Sequence, residues 1–405
     1  MKNRLANRQA AGLRTAFAAC AMLLLMPCAM AQNTHIEADA TTRLAKTREP
    51  DTALGRLLQP VDNRGFECGK TDGWDEACLK VRYQGQPAQW PRPVIDAGKN
   101  WTEMSAVPGV QPPADTKARA KLELGTALFF DAGLSRKGGV SCASCHQAGK
   151  SFSDGLAQAV GEDKLMGRRR AQTLFAAPFA SHLFWDGRAA SLEEQAKGSI
   201  TNTFEMNNTL AAAVGYVNSQ PHYRKMSRQV WGRDKLTTEQ MVTAISTFVR
   251  TIRPPTTKAD AVIAGETALL NDQQLLGLHL FRTKARCMNC HSGPLLTDNE
   301  FHDLGLSSYG RRNQDLGRFE ATRNKADLGQ FRVPSLRGVS HAGPWMHNGQ
   351  FGNLPGLLRL YNVGMGAVGG DPEQDSYVPP KSPHIKALNL NAQEIDALVE
   401  WLKVL

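Results

Sequence analysis

Beyond residue 31 the 405-residue chain has no apolar run long enough to span a bilayer, which excludes stable membrane insertion of the mature protein. It also lacks a block of basic residues. The formal charge of +10 is scattered, which argues against a nucleic-acid partner and suits an acidic protein one. Alternating, β-branched strand patterns are scarce, so a mainly α chain with long loops is expected. Histidine is sparse in one place that matters: none occurs between His146 and His182.

What is present begins with an export signature. Lys2, Arg4, Arg8 and Arg14 precede an apolar stretch from Ala16 to Met26, and Ala29-Met30-Ala31 has the small-x-small form of a cleavage site. This predicts a signal peptide over 1–31, cleaved near Ala31, and a periplasmic mature chain. A lipid anchor on Cys28 is the rival, disfavoured because Pro27 stands where a small residue is expected. Residues 32–115 are rich in Pro, Gly and charge without sustained periodicity, and read as an irregular, wrapping N-terminal extension. Helical patterning starts near Thr116. Thr237-Thr238-Glu239-Gln240, Asn271-Asp272-Gln273-Gln274 and Asn391-Ala392-Gln393-Glu394 each read as a helix start, the last with Ile395, Leu398, Val399 and Leu402 on its buried face.

Eight cysteines sort by position. Cys20 and Cys28 leave with the signal. Cys142-Ala143-Ser144-Cys145-His146 and Cys287-Met288-Asn289-Cys290-His291 are two copies of the pattern that attaches haem c. The chemistry needs two thiols one helical turn apart to form thioethers with the vinyl groups, and an adjacent histidine to meet the iron. Zinc binding or a dithiol would explain one copy; two copies in an exported chain favour two covalent haems, with His146 and His291 as proximal ligands. Gly125-Thr126-Ala127-Leu128-Phe129 before the first motif and Gly277-Leu278-His279-Leu280-Phe281 before the second form a faint repeat. Two c-type cytochrome-like haem domains with long loops are therefore expected, at 116–260 and 261–405. Cys68 and Cys78 remain, and a structural disulfide is the simplest reading for a pair without catalytic spacing.

Between and after the haem motifs lie Phe184-Trp185-Asp186-Gly187-Arg188, Ser191 to Gly198, Phe204-Glu205-Met206, Val333 to Val339, and Gly343-Pro344-Trp345-Met346-His347-Asn348-Gly349. In these segments, in order and spacing, residues 116–405 resemble the bacterial diheme cytochrome c peroxidase family, including the branch typified by the methylamine-utilisation diheme enzyme. The resemblance implies that peroxide reacts at the first haem and that the second passes electrons. It places Gln195 and Glu205 in the distal pocket of the first haem and Trp185 between the haems. Chemistry agrees for Glu205, because heterolysis of H2O2 needs a proton moved between its oxygens. Read without the resemblance, Glu205 is a solvated glutamate and Trp185 a core tryptophan. Arg188 and Lys197 face haem propionates on one reading and solvent on the other.

Two departures refine the expectation. Glu162 occupies the position where many members carry a displaceable histidine, so the first haem is expected to be open to peroxide. Tyr361 stands where those members carry the distal methionine of the second haem, as in the methylamine-utilisation branch; Met365 is the alternative ligand. A phenolate stabilises oxidised iron where a thioether favours the ferrous form. The family's calcium-binding asparagine corresponds to Arg170, with Ala342 and Pro344 still offering carbonyls, which puts calcium in doubt. The resulting expectation is a periplasmic peroxidase that reduces H2O2 through high-valent haem iron, with electrons from a cytochrome c or cupredoxin. Oxidative modification of Trp or Tyr on a partner protein is the alternative, and a non-catalytic diheme electron carrier is the rival from another class.

Overall fold

Each of the three predicted helix starts forms as a reciprocal cap. Thr237 Oγ1 accepts from Gln240 N–H at 3.2 Å while Gln240 Oε1 accepts from Thr237 N–H at 3.0 Å. The same exchange closes at Asn271/Gln274 and at Asn391/Glu394. Each cap satisfies donors that a helix terminus otherwise leaves bare, and contributes about 1 kcal/mol.

The structure is a computed structural model that describes residues 62–367, 369–371 and 373–405. The predicted signal segment and the Cys28 anchor lie outside the described residues. All described residues belong to one compact unit, Asp51–Leu405. In chain order it opens with a two-residue hairpin, β1 Gly69–Lys70 and β2 Gly73–Trp74, followed by helix α1 Glu76–Arg82. Next come α2 Thr116–Phe130, α3 Leu192–Thr201, α4 Leu210–Ser219, α5 Pro221–Trp231 and α6 Thr238–Val249. Then follow α7 Lys258–Ile263, α8 Asp272–Arg282, the antiparallel pair β3 Phe301–Asp303 and β4 Gln330–Arg332, α9 Leu354–Asn362 and α10 Ala392–Leu402. The protein is mainly α, with long loops between the helices.

Two hydrophobic clusters form around two helix pairs. In one, α2 packs on α6, with Leu124, Leu128, Met241 and Ile245 at its centre. In the other, α8 packs on α10, with Leu278, Leu280, Ile395, Leu398 and Trp401. The faint sequence repeat has a physical cause at these crossings. A Cβ on Gly125 would collide with the main-chain carbonyl of Ala244, and one on Gly277 with that of Ala397. Both helices approach their partners closely enough that only glycine fits.

The N-terminal extension is less irregular than its composition suggests. Asp75 caps α1 by accepting from Cys78 N–H at 3.0 Å, and Cys68 and Cys78 are joined by a disulfide with Cα atoms 5.6 Å apart. A seven-residue helix is too short to show a period, which is why composition hid it. The extension is a strap over the second cluster. Leu79, Tyr83, Trp90 and Met104 are buried within it. Val94 N–H donates to Arg282 O at 2.8 Å, and Glu103 pairs with the fully buried Arg282.

Candidate haem centres

Both haem motifs are built the same way. Cys142–Cys145 forms a single helical turn opened by Ser141, and His146 N–H closes it on Cys142 O at 3.0 Å. A left-handed pair, Ser151 and Phe152, turns the chain back so that Phe152 O lies 2.9 Å from His146 Nδ1. At the second motif His291 N–H meets Cys287 O at 2.8 Å, and Leu296, also left-handed, presents its carbonyl to His291 Nδ1 at 3.0 Å. A carbonyl only accepts, so each Nδ1 carries the hydrogen and each Nε2 is left as the basic nitrogen. That is the tautomer an iron ligand requires, fixed by a main-chain partner.

The four motif cysteines are free, unlike Cys68 and Cys78. Burial pushes all four thiols up to about 12 and pushes both imidazoles down, so the slots are apolar and the histidines neutral. Unpaired thiols one turn apart and an oriented neutral imidazole fit a covalent haem at each motif. Asp298 and His302 come within 4.8 Å of Cys290 Sγ. Lys99 already pairs with that carboxylate at 2.9 Å, and Cys290 belongs to the haem-attachment motif, so the group reads as a polar edge of the second motif and not as a separate metal site.

Helix α3 and the turn after it carry the predicted distal groups of the first haem. Gln195 Nε2 donates to Ser199 Oγ at 2.9 Å, one turn along the helix. The turn Asn202–Glu205 closes by Glu205 N–H on Asn202 O, and Asn202 Nδ2 returns to Glu205 Oε1 at 2.8 Å. Arg188 stands 3.9 Å from the same oxygen. The Glu205 charge is close enough to favour protonation of His146 and to oppose ionisation of Cys142 and Cys145. The helix cap thus brings Glu205 to the first motif from far along the chain.

Glu162 is buried and turned to the backbone. Its carboxylate accepts from Lys137 N–H at 3.2 Å and Gly139 N–H at 3.4 Å, and hydrogen bonding, first from Ser135, holds its pKa below the usual range. Its own N–H donates to Glu205 O at 2.7 Å. Glu162 therefore anchors the main chain of Glu205.

Trp185 lies at the seam between the two haem segments. Its indole N–H donates to Arg170 O at 3.1 Å, its carbonyl accepts from Arg332 N–H at 2.8 Å, and His347 meets its ring edge-on at 6.5 Å. Asp186, assigned no role from sequence, holds both Arg188 at 2.9 Å and Arg169 at 2.6 Å. Arg169 in turn reaches Asp315 at 2.7 Å. No sequence signal could pair Arg169 with Asp315, 146 residues apart; only Asp186 and Arg188 lay within a quoted motif. Lys197 pairs with exposed Glu239 at 3.3 Å.

Tyr361 occupies the last turn of α9, half-buried against the second cluster. Burial raises its phenol, and the charges of Cys290 and Cys287 act on it in the same sense, so it lies close to the second motif. Met365 is buried in a left-handed turn, its N–H on Leu360 O at 2.8 Å. Arg337 braces the proximal loop by donating to Pro294 O at 2.9 Å, and Ser335 does so through Leu295 O at 2.6 Å. At Arg170 the guanidinium is 8% exposed and donates to Ser153 Oγ at 3.0 Å. Its Nε has no partner among the described residues, and burial lowers its pKa to about 10. A buried cation already short of acceptors does not fit beside a calcium ion.

A family model described as "Di-haem cytochrome c peroxidase" matches residues 119–268. The chain is 36% identical over 245 residues to methylamine utilization protein MauG of Methylophilus methylotrophus, covering 60% of this chain and 72% of the relative. It is also 36% identical over 228 residues to cytochrome c551 peroxidase of Nitrosomonas europaea, covering 56% and 68%. Among solved structures it is similar to a MauG-like protein associated with microbial copper homeostasis, with a TM-score of 0.64, 26% identity, and coverage of 77% and 95%.

Proposed function

This chain belongs to the di-haem cytochrome c peroxidase family, and from that premise we propose that it reduces hydrogen peroxide to water with Glu205 as the acid–base group. Two haems, when bound at the cysteine motifs, supply the redox equivalents. What supports the reading is the carboxylate of Glu205, fixed by Asn202 and Arg188 and near enough for its charge to act on His146 and on Cys142 and Cys145. Both fixed partners sit on Oε1, so Oε2 is the oxygen that takes the proton from the near peroxide oxygen and returns it to the far one. The far oxygen, now carrying both protons, can then leave as water rather than as hydroxide. Gln195, steadied by Ser199, presents an amide to orient peroxide.

Trp185 is the route between the two haem segments, since its ring is bonded to the first through Arg170 and its carbonyl to the second through Arg332. Tyr361, ahead of Met365, is the side chain that would ligate the second haem, and as a hard anionic donor it would favour the oxidised state there. The two clusters support two haem domains over about 116–260 and 261–405, with Ala259 and the extension residues packed into the second cluster. A periplasmic location is supported by the disulfide and by covalent haem attachment. No described helix is long and apolar enough to cross a membrane. The donor is a small redox protein with an acidic face.

Ferric protein mixed with stoichiometric H2O2, without reductant, should change its absorption promptly at both haems. Glu205→Gln should keep its haem content and slow that change by roughly two to four orders of magnitude. Equal rates in parent and variant would remove Glu205 from the mechanism. A response only after one haem is reduced would remove the open first haem, and a response at one haem alone the role of Tyr361. Likeness to the methylamine-utilisation relative favours a second reading, oxidation of Trp or Tyr on a partner protein. Fast peroxide reaction with slow turnover of small cytochromes would select it.

A further inference from the structure

The aromatic residues of the N-terminal strap converge on one histidine. Tyr83 is fully buried, and its hydroxyl lies 2.9 Å from Nδ1 of His279 on α8. Trp74 meets the His279 ring edge-on at 4.9 Å, and Trp90 lies 5.5 Å from the Tyr83 ring. On the inner side the Arg282 guanidinium covers Trp90 at 5.3 Å, and its Nη1 reaches Sδ of Met288, inside the second haem motif, at 3.6 Å. On the outer side Trp74 is only half-buried. Contacts thus run unbroken from the second haem motif to the surface, with the oxidisable Trp90, Tyr83 and Trp74 set off from Met288 by the Arg282 guanidinium and bridged at His279, through a segment that precedes the matched family region.

We propose that Tyr83, paired with His279, is a redox-active tyrosine, and that Trp90, Tyr83 and Trp74 form a relay that carries oxidising equivalents out of the second haem segment through the strap. Packing alone does not account for the pair. Among the described residues His279 Nε2 is buried without a hydrogen bond of normal geometry, the Glu67 carbonyl being near enough only to act on the ring, a loss of up to about 1–3 kcal/mol that an apolar side chain of similar shape avoids. Redox chemistry does account for it. A buried phenol cannot shed its proton to water, so it gives up an electron only if an acceptor for that proton is already in place.

His279 is that acceptor. Burial, with Arg282 adding to it, lowers its pKa to about 4, so the imidazole is neutral; the main-chain carbonyl of Glu67 acts in the opposite sense. Nδ1 therefore accepts the hydrogen bond from Tyr83. In the step, one electron leaves the phenol for the second haem oxidised by the peroxide reaction, and the proton on Oη moves to Nδ1. A neutral tyrosyl radical and an imidazolium remain. One electron from a small soluble one-electron reductant of the thiol or enediol class, through Trp74, reduces the radical, and the proton returns from Nδ1 to Oη. When no donor protein is docked, this path leads oxidising equivalents away from the haem ligands. The inference rests on the peroxide reaction of the preceding section.

The test is rapid-freeze electron paramagnetic resonance of the ferric holoprotein after one equivalent of H2O2, with stopped-flow absorption on the same samples. The parent should give a tyrosyl signal that narrows when ring-deuterated tyrosine is incorporated. Tyr83→Phe should lose at least nine-tenths of that signal while the haem absorption responds at the parent rate. Trp90→Phe, which keeps the Tyr83–His279 hydrogen bond, should lower the signal several-fold. Normal haem responses with no tyrosyl signal in the parent, or with the same signal in Tyr83→Phe, would overturn the relay alone. A parent whose absorption does not respond to peroxide would overturn the peroxidase reading and the relay with it.

Discussion

At the residue scale, what matters in this protein is which oxygen or nitrogen of a side chain is already engaged. Glu162 and Glu205 are both glutamates near the first motif, but Glu162 spends both its carboxylate and its main chain on neighbouring backbone. Glu205 has its partners on one oxygen only. Asp303 shows the same logic in a stability setting. Its Oδ1 accepts from Gly305 N–H at 2.9 Å, its Oδ2 is buried without a partner among the described residues, and burial raises its pKa to about 6. An acid whose pKa rises on folding is fully tolerated below its unfolded value. Its fold then loses stability as pH climbs from about 4 to about 6, and no further above that. Asp303→Asn lacks this loss. Its thermal midpoint relative to the parent should rise across that window and level off, by an amount equivalent to up to about 3 kcal/mol. A difference that does not vary with pH would show that Asp303 ionises freely.

At the scale of elements, the two helix crossings repeat one solution. Gly125 and Gly277 each sit against a main-chain carbonyl of the partner helix, and a carbonyl cannot rotate out of the way as a side chain can. Gly277→Ala should therefore destabilise by about 2 kcal/mol or more, and Gly125→Ala should do likewise. Gly215, exposed on α4 with nothing near its missing Cβ, is the control. There Ala should stabilise by about 0.5–1 kcal/mol through helix propensity. Thermal unfolding of the three variants separates close packing from propensity, and equal losses at all three positions would contradict it. The glycines were legible as part of a repeat, but their reason was not, because the carbonyls they meet come from helices more than a hundred residues away.

At the scale of the whole molecule, the strap ties the second haem motif to the end of the chain. Asn289, inside the motif, accepts from Asp96 N–H at 2.7 Å and donates to Val94 O at 3.1 Å. Asn63 and Trp74 share Glu394 with buried Lys284. The Cys68–Cys78 bridge closes a short loop at the start of this strap, and its removal should release roughly 2–3 kcal/mol of constraint on the unfolded segment. Cys68→Ser/Cys78→Ser should be cleaved within residues 62–105 one to two orders of magnitude faster by a dilute protease, with haem absorption unchanged. Cleavage at the parent rate would mean that packing alone holds the strap.

Sequence by itself determined the chemistry that is written locally. Two thiols and a histidine within five residues and three reciprocal helix caps need no distant partner to be read. The tertiary structure alone decided which carbonyls fix the tautomers of His146 and His291, that Glu162 is spent on backbone, and that Arg169 links Asp186 to Asp315. It alone brought Tyr83 to His279, 196 residues apart. The physical reason is range. Caps, turns and attachment motifs are satisfied by neighbours in the chain, whereas a hydrogen bond across two packed elements exists only once burial has paired them.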